Sequence, residues 1–316
     1  MSVKVVQVVL AAIFDAKGRL LITQRAKQAH QGGFWEFPGG KQEAGESLFS
    51  TLQRELLEEV GIRITASTPL INITHAYPDV TVCLNVWRVT AFEGVAHARE
   101  GQPLRWIELS ELPKYSFPKA NRAILQALLL PETYLITPEP KDRAVFLSTL
   151  EQSLSTGIKL VQLRAKTLSA RDYETLAQEV VSLCHRWGAK VLLNAPPDLL
   201  QRVAADGVHL SQRLAASFLQ RPVARECLLA VSCHNEASLR QGSLIEADFS
   251  VLSPVQPTKS HLEAEPLGWG AFQDLVKQAA LPVYALGGLS KTDVVAAQQR
   301  GGQGVAAIRA LWGEKR

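Results

Sequence analysis

The sequence predicts two α/β domains in tandem, a mixed αβ domain followed by a (β/α)₈ barrel. Three observations carry this expectation. An amphipathic helical stretch, Ser47 to Val60, sits among Val- and Ile-rich runs in the first half of the chain. From Tyr134 onward, short Val/Leu/Ile-rich runs alternate with amphipathic helices, the pattern of βα units on a parallel sheet. Between the two regimes lies a short linker, Pro131-Glu132-Thr133. Domains are therefore expected over residues 1–130 and 131–316, and a chain of 316 residues suits two ordinary domains.

In the first half, Val3 to Phe14 reads as a strand. A turn at Asp15-Ala16-Lys17-Gly18 joins it to a second strand, Arg19 to Gln24, as a hairpin. The helical stretch places Leu48, Leu52, Leu56 and Val60 at steps of four, and Gly61 stands where a left-handed cap ends a helix. Further strands are expected at Ile71 to Ala76, Val80 to Phe92 and Trp106-Ile107, with a closing helix from Asn121 to Leu130. In the second half the expected strands are Tyr134–Thr137, Lys159–Leu163, Lys190–Asn194, Gly207–Leu210, Leu228–Cys233, Phe249–Pro254, Val283–Leu286 and Gly304–Ile308. Eight such strands with intervening helices suit a closed barrel. A doubly wound sheet is the alternative.

Composition narrows the class. Hydrophobic residues make up 47% of the chain, enough for conventional cores, and the net charge of +4 gives no case for direct nucleic-acid binding. Cys83, Cys184, Cys227 and Cys233 follow neither metal-site nor disulfide spacing, so free thiols in a reducing compartment are expected. The N-terminus lacks a secretory pattern, and Val5 to Phe14 is too short to span a bilayer. A soluble cytoplasmic protein without membrane contact is the expectation.

The strongest chemical signal runs from Gly39 to Ile62. Gly40 is followed by five residues and Glu46, then by seven more and Arg54-Glu55, then by Glu58-Glu59, Gly61 and Ile62. Glu55, Glu58 and Glu59 are spaced three and four apart and share one side of the helix, at the edge of its apolar stripe. Clustered carboxylates repel one another and lose water, which is costly unless a cation compensates. Hard oxygen ligands suit Mg²⁺, which binds through one or two carboxylates plus substrate phosphates. A solvated acidic helix is the plain alternative; the Gly-Gly approach at fixed distance from Glu46 argues against it. Arg54 is expected to orient Glu55 or Glu58 through a charge-assisted hydrogen bond.

This motif is the Nudix box, matched at every fixed position, and residues 3 to 130 resemble the MutT subgroup of Nudix hydrolases. Gly33-Phe34-Trp35-Glu36-Phe37-Pro38-Gly39-Gly40-Lys41, Glu100-Gly101-Gln102-Pro103 and Phe117-Pro118-Lys119-Ala120-Asn121 carry the resemblance beyond the box. It implies an αβα sandwich and hydrolysis of a nucleoside triphosphate, 8-oxo-dGTP to 8-oxo-dGMP and diphosphate, which removes oxidised precursors before replication. It further implies Mg²⁺, or Mn²⁺ in its place, held by Glu55, Glu58, Glu59 and the Gly39 carbonyl, with Glu100 as a further ligand or base. Nucleotide contacts implied are Arg25 near the phosphates, Gly40, Phe37 near the base, and Asn121 on the oxidised guanine. Phe37 as plain core and Asn121 as a helix N-cap are the structural alternatives. One departure is Val86, where a bulky aromatic lining the base pocket would be expected.

Residues Tyr134 to Trp312 resemble the thiamine phosphate synthases and their thiazole tautomerase relatives. The carriers are Val161-Gln162-Leu163-Arg164-Ala165-Lys166, Ala205 to Gln212, Pro257-Thr258-Lys259 and Ala285-Leu286-Gly287-Gly288-Leu289. The resemblance implies a phosphorylated thiazole or thiamine ligand, held by Arg164, Lys166, Asn194, Lys259 and the Gly287-Gly288 amides. His234 matches a proton-moving histidine of the tautomerases, with a non-catalytic rim histidine as the alternative, and His209 is expected to be structural. Ala195 and Leu214 stand where the synthases carry metal-binding aspartates, and Arg309 replaces a phosphate-loop serine. Without those aspartates, ionisation of a pyrophosphate ester loses its electrostatic support, so no synthase activity is expected. A thiamine-pathway enzyme and a ligand-sensing barrel that regulates the hydrolase are the competing readings.

Overall fold

The computed structural model describes residues 4–26, 28, 32–76, 80–258 and 265–313. The chain divides into two compact units, residues 1–129 and 130–316. The first contains β1 (Lys4–Ile13), β2 (Leu20–Gln24), β3 (Trp35–Glu36), β4 (Gly39–Lys41), α1 (Leu48–Val60), β5 (Arg63–Ala76), β6 (Val80–Glu93), β7 (Leu104–Ile107) and α2 (Arg122–Leu129). Two sheets result, with orders β4-β1-β6-β5 and β3-β2-β7. β1 runs parallel to β6, and the other pairings are antiparallel.

The apolar stripe of α1 does what its spacing requires. Leu52, Leu56 and Val60 are fully buried against Val9, Ala11, Ile13 and Val89 of the larger sheet. Ser47 caps the helix by accepting from the Ser50 amide, and Gly61 closes it at φ 71°. Register then fixes the polar side of α1 over β4, the short strand that carries Gly39 and Gly40.

Three local expectations change. β1 and β2 do not form a laddered hairpin; they lie in different sheets and touch at a single bridge, Phe14 to Leu20. β5 starts at Arg63, eight residues before the expected Ile71. Its Ser/Thr/Pro stretch is tolerated because β5 is an edge strand with register shifts at Ala66 and before Ile71. The closing helix begins at Arg122, and Asn121 is the last residue of a 3₁₀ turn, Lys119–Asn121, that runs into it.

The second unit is a closed barrel of eight strands: β8 (Thr133–Ile136), β9 (Leu160–Leu163), β10 (Lys190–Leu193), β11 (Gly207–Leu210), β12 (Leu228–Cys233), β13 (Phe249–Leu252), β14 (Val283–Leu286) and β15 (Gly304–Ala307). Each neighbour pair is parallel, and β8 pairs with both β9 and β15, which rules out the open doubly wound sheet. Helices α3 (Arg143–Ser155), α4 (Ala170–Arg186), α5 (Gln212–Ala215), α6 (Glu236–Leu244), α7 (Gly268–Val276) and α8 (Val294–Gln298) follow strands in turn. No helix among the described residues is long and apolar enough to cross a membrane.

The barrel interior is packed with rings. Tyr134, Phe249 and Tyr284 contact one another at 5.2–5.7 Å between centroids. His209 lies among them, with Nδ1 3.0 Å from the Tyr134 hydroxyl and Nε2 2.9 Å from Ser232 Oγ. Its role is structural, as expected, and burial holds its pKa down at about 3.

That burial predicts a pH dependence. In the unfolded chain His209 titrates near 6.5, in the fold near 3. Between these values the unfolded chain binds a proton that the fold refuses, so stability falls as pH drops below about 6.5, by at most about 1.4 kcal/mol per pH unit. Hydrogen-exchange protection of barrel amides, corrected for intrinsic rates, should show that slope, and His209→Gln should flatten it. An unchanged slope in the variant would assign the effect to other groups.

Candidate active site

Arg54 organises the acidic face of α1. Its Nε and Nη2 donate to the two oxygens of Glu46 at 2.8 and 3.1 Å, in a fork-to-fork pair. Its Nη1 donates to Glu55 at 2.9 Å and to Glu58 at 3.2 Å, and Nη2 reaches the Lys41 carbonyl at 3.3 Å. The Arg54 bonds, followed by the Thr51 hydroxyl bond, hold the Glu46 carboxyl down at about 2. The same pairing raises the pKa of Arg54 above its ordinary value. One guanidinium thus fixes three carboxylates and ties the helix to the strand before it.

Glu59 points the other way and accepts from the Gly39 amide at 3.0 Å. Burial pushes its carboxyl up to about 7, and the charges of Glu100, Glu55 and Glu36 add to the rise, against the opposing Gly39 bond. The two glycines make room for these acids. A methyl at Gly40 would lie 2.2 Å from a Glu55 carboxylate oxygen, and one at Gly39, φ 141°, would lie 2.0 Å from the Val9 carbonyl.

Among the described residues, no three His, Cys, Asp or Glu side chains stand together as a ready metal cage. Glu55 and Glu58 are turned onto Arg54, Glu59 onto the Gly39 amide, and Glu100 is exposed on the 94–103 loop. The donor set still fits a hard cation. It consists of carboxylates and backbone oxygens, and the like charges that raise Glu59 are what a bound cation would relieve.

The nucleotide-side residues divide. Arg25 is paired with Glu36 at 3.1 Å; burial raises the Glu36 carboxyl although Arg25 opposes it. Phe37 is only 1% exposed and stacks on Phe117 at 5.4 Å. It is therefore core, and Phe117, half-buried, is the ring set in front of it. Asn121 is 7% exposed, and Val86 is fully buried. Glu36 and Phe117 stand in stretches that carry the family resemblance, but what each does comes from its contacts with Arg25 and Phe37.

In the barrel, Arg164, Lys166, Asn194, His234, Gly287 and Gly288 all lie just beyond the C-terminal ends of strands, the face where such barrels place their chemistry. Lys259 lies outside the described residues. Arg164 pairs with Glu139 at 3.0 Å. Glu139 also accepts from the amides of Lys166 and Thr167 and from the Thr167 hydroxyl; desolvation raises its carboxyl, but these bonds hold it below its ordinary value. The sequence offered no signal for Glu139, which acts across two strand-end loops. Asn194 donates to the His209 carbonyl at 2.9 Å. His234 Nδ1 lies 2.7 Å from the Ser253 carbonyl. A carbonyl only accepts, so Nδ1 carries the hydrogen and Nε2 of the neutral ring is left as an acceptor. Gly287 and Gly288, at φ 107° and 66°, pack directly on the backbone of Pro254 and Pro257, so they also serve loop packing. Ala195 and Leu214 are half-buried, pack against the barrel core and offer no metal ligand.

The glycine pair yields a prediction. Gly40→Ala should leave the fold intact, because the Glu55 carboxylate can swing aside, yet lower nucleotide turnover about 10-fold or more through the displaced acid. Gly39→Ala should instead cost about 1–3 kcal/mol of stability, since its clash is with backbone in a strained conformation. Thermal midpoints and turnover measured together separate the two; full turnover in Gly40→Ala would show that the position of Glu55 is unimportant.

Each unit is similar to known proteins. Residues 9–127 match the NUDIX domain family, and residues 133–311 match the thiamine monophosphate synthase family. The CTP pyrophosphohydrolase of Escherichia coli is 36% identical over 121 residues, covering 38% of this chain and 90% of that protein. A relative from Aquifex aeolicus named for thiamine-phosphate synthesis is 36% identical over 179 residues, covering 57% of this chain and 96% of its own. A solved MutT from a study of Aliivibrio salmonicida and Vibrio cholerae is 38% identical, covering 40% of this chain and 98% of its own, with a TM-score of 0.36. The chain therefore belongs to two families at once, a Nudix domain in its first unit and a thiamine monophosphate synthase-type barrel in its second.

Proposed function

We propose that the first unit is a Mg²⁺-dependent nucleoside triphosphate pyrophosphohydrolase acting on 8-oxo-dGTP, with release of the monophosphate and diphosphate. The observation that carries this is the Arg54-held set of carboxylates laid against Gly39 and Gly40. Glu55, Glu58 and Glu59, with the Gly39 carbonyl and Glu100, would hold Mg²⁺, or Mn²⁺ in its place. The bound cation supplies charge neutralisation at the phosphates and Lewis acidity toward the attacking water. Arg54 orients Glu55 and Glu58 through its Nη1 bonds. An uncommitted carboxylate oxygen, on Glu100 or Glu58, accepts the proton of the water. Arg25 faces the phosphates once it leaves Glu36, and the Gly40 backbone allows their close approach.

Asn121 reads the oxidised purine beside Phe117. A second reading, a cytidine triphosphate substrate, is favoured by the similarity to CTP pyrophosphohydrolase. Turnover of 8-oxo-dGTP, dGTP and CTP decides between them. Asn121→Ala should raise the ratio of dGTP to 8-oxo-dGTP cleavage, by an amount equivalent to about 1–3 kcal/mol for a lost polar contact. An unchanged ratio removes Asn121 from base reading. Glu58→Gln and Glu59→Gln should each nearly abolish Mg²⁺-dependent turnover with the fold retained; retention of turnover in both would take them out of the metal site.

For the barrel, we propose a thiamine-pathway role without synthase chemistry. A phosphorylated thiazole would be held by Arg164, Lys166, Asn194, Lys259 and the Gly287–Gly288 loop. His234 Nε2 would either move a proton on the ring or merely line a sensing site. The full chain should show no synthase turnover from a pyrimidine diphosphate and thiazole phosphate with Mg²⁺, because Ala195 and Leu214 offer no ligand. Calorimetry with thiazole phosphate should show binding that weakens in Lys166→Ala, and His234→Ala should abolish any tautomerase turnover. Robust synthase activity would overturn this reading.

A further inference from the structure

The last turn of α1 ends in carbonyls that no helical amide can reach. The 94–103 loop supplies their partners. The His97 amide donates to the Val60 carbonyl at 3.1 Å, and the Arg99 amide to the Glu59 carbonyl at 3.1 Å. Arg99 Nη1 donates to the Leu57 carbonyl at 2.8 Å, where its charge also suits the negative end of the helix. Gln102 differs from these tethers. Its Nε2 donates to the Glu59 carbonyl at 2.9 Å, and its Oε1 accepts from the Glu100 amide at 3.0 Å. One side-chain amide therefore links the backbone of Glu59 to the backbone of Glu100. Gly101, at φ 76°, provides the left-handed turn that brings Gln102 back under Glu100.

We infer that Gln102 is a positioning residue that sets the separation of Glu59 and Glu100, and so the geometry of the carboxylates on which hydrolysis depends. The inference rests on the pyrophosphohydrolase reading and on a role for Glu100 in it. Because the amide bonds both backbones, its loss leaves both carboxylates present but lets the loop carrying Glu100 drift. A misplacement on the order of 1 Å can cost about 100-fold in rate. The loss is expected in kcat rather than in KM, since Gln102 is directed at the protein's own backbone.

The test uses the full chain in three variants. Gln102→Met keeps length and removes both bonds. Arg99→Met removes a tether to the same helix end but leaves the Glu59–Gln102–Glu100 bridge. Glu100→Gln removes the carboxylate itself. Steady-state kcat and KM, thermal midpoint and Mn²⁺ affinity by electron paramagnetic resonance are measured for each. Gln102→Met should lower kcat about 10- to 100-fold at unchanged KM and weaken Mn²⁺ binding, while Arg99→Met changes kcat much less at a comparable loss of midpoint. Equal effects of the two variants, or a kcat for Gln102→Met within about twofold of the parent, would overturn the inference. If Glu100→Gln retains full turnover, the reading of Glu100 fails first. If Glu100→Gln is inactive and Gln102→Met is not, the positioning role alone fails.

Discussion

A single guanidinium holds the first unit's chemistry together. Arg54 is a quarter exposed and donates to Glu46, Glu55 and Glu58. Four acids on one short segment would otherwise repel one another and shed their charge or splay apart. Arginine suits this position because its planar fork serves several oxygens at fixed angles and never loses its proton, which lysine cannot match. With Glu46 held ionised and the helix tied to the Lys41 carbonyl, the remaining acids face the strand that carries Gly39 and Gly40. The glycines follow from this arrangement: side chains there would meet Glu55 or the Val9 backbone.

Much of this architecture was legible in the sequence. The apolar period of α1, its Ser47 and Gly61 ends and all eight barrel strands follow from spacing and composition, because each is set by residues near one another in the chain. The Ser/Thr/Pro start of β5 was not legible, since an edge strand accepts residues that read as loop. The division of β1 and β2 between two sheets was hidden for a related reason: a turn such as Asp15 to Gly18 specifies a reversal but not the strand that each arm then pairs with.

The site was legible in its box and obscure in its surroundings. Glu55, Glu58, Glu59 and Arg54 are fixed by helical spacing alone. Phe37 and Phe117 are eighty residues apart in sequence, and only their stack tells which ring is core. Glu36 and Gln102 stand inside stretches that carry the family resemblance, yet their roles, like that of Glu139, come through partners on other segments, as the Arg25, Glu59 and Arg164 contacts show. In the barrel, Ala195 and Leu214 could be read directly, whereas the tautomer of His234 required the Ser253 carbonyl.

On the proposed pyrophosphohydrolase reading, Arg54 holds carboxylates and does not touch substrate. Arg54→Lys on the full chain tests it most directly, with nucleotide turnover and Mn²⁺ affinity read on the same samples. A lysine keeps the charge but, with a single ammonium at a different reach, cannot fork onto Glu46 while also bonding Glu55 and Glu58. The expected result is a folded protein whose kcat falls about 100-fold or more, with KM little changed and Mn²⁺ bound more weakly. Parental kcat and Mn²⁺ affinity, or a loss confined to KM, would contradict it.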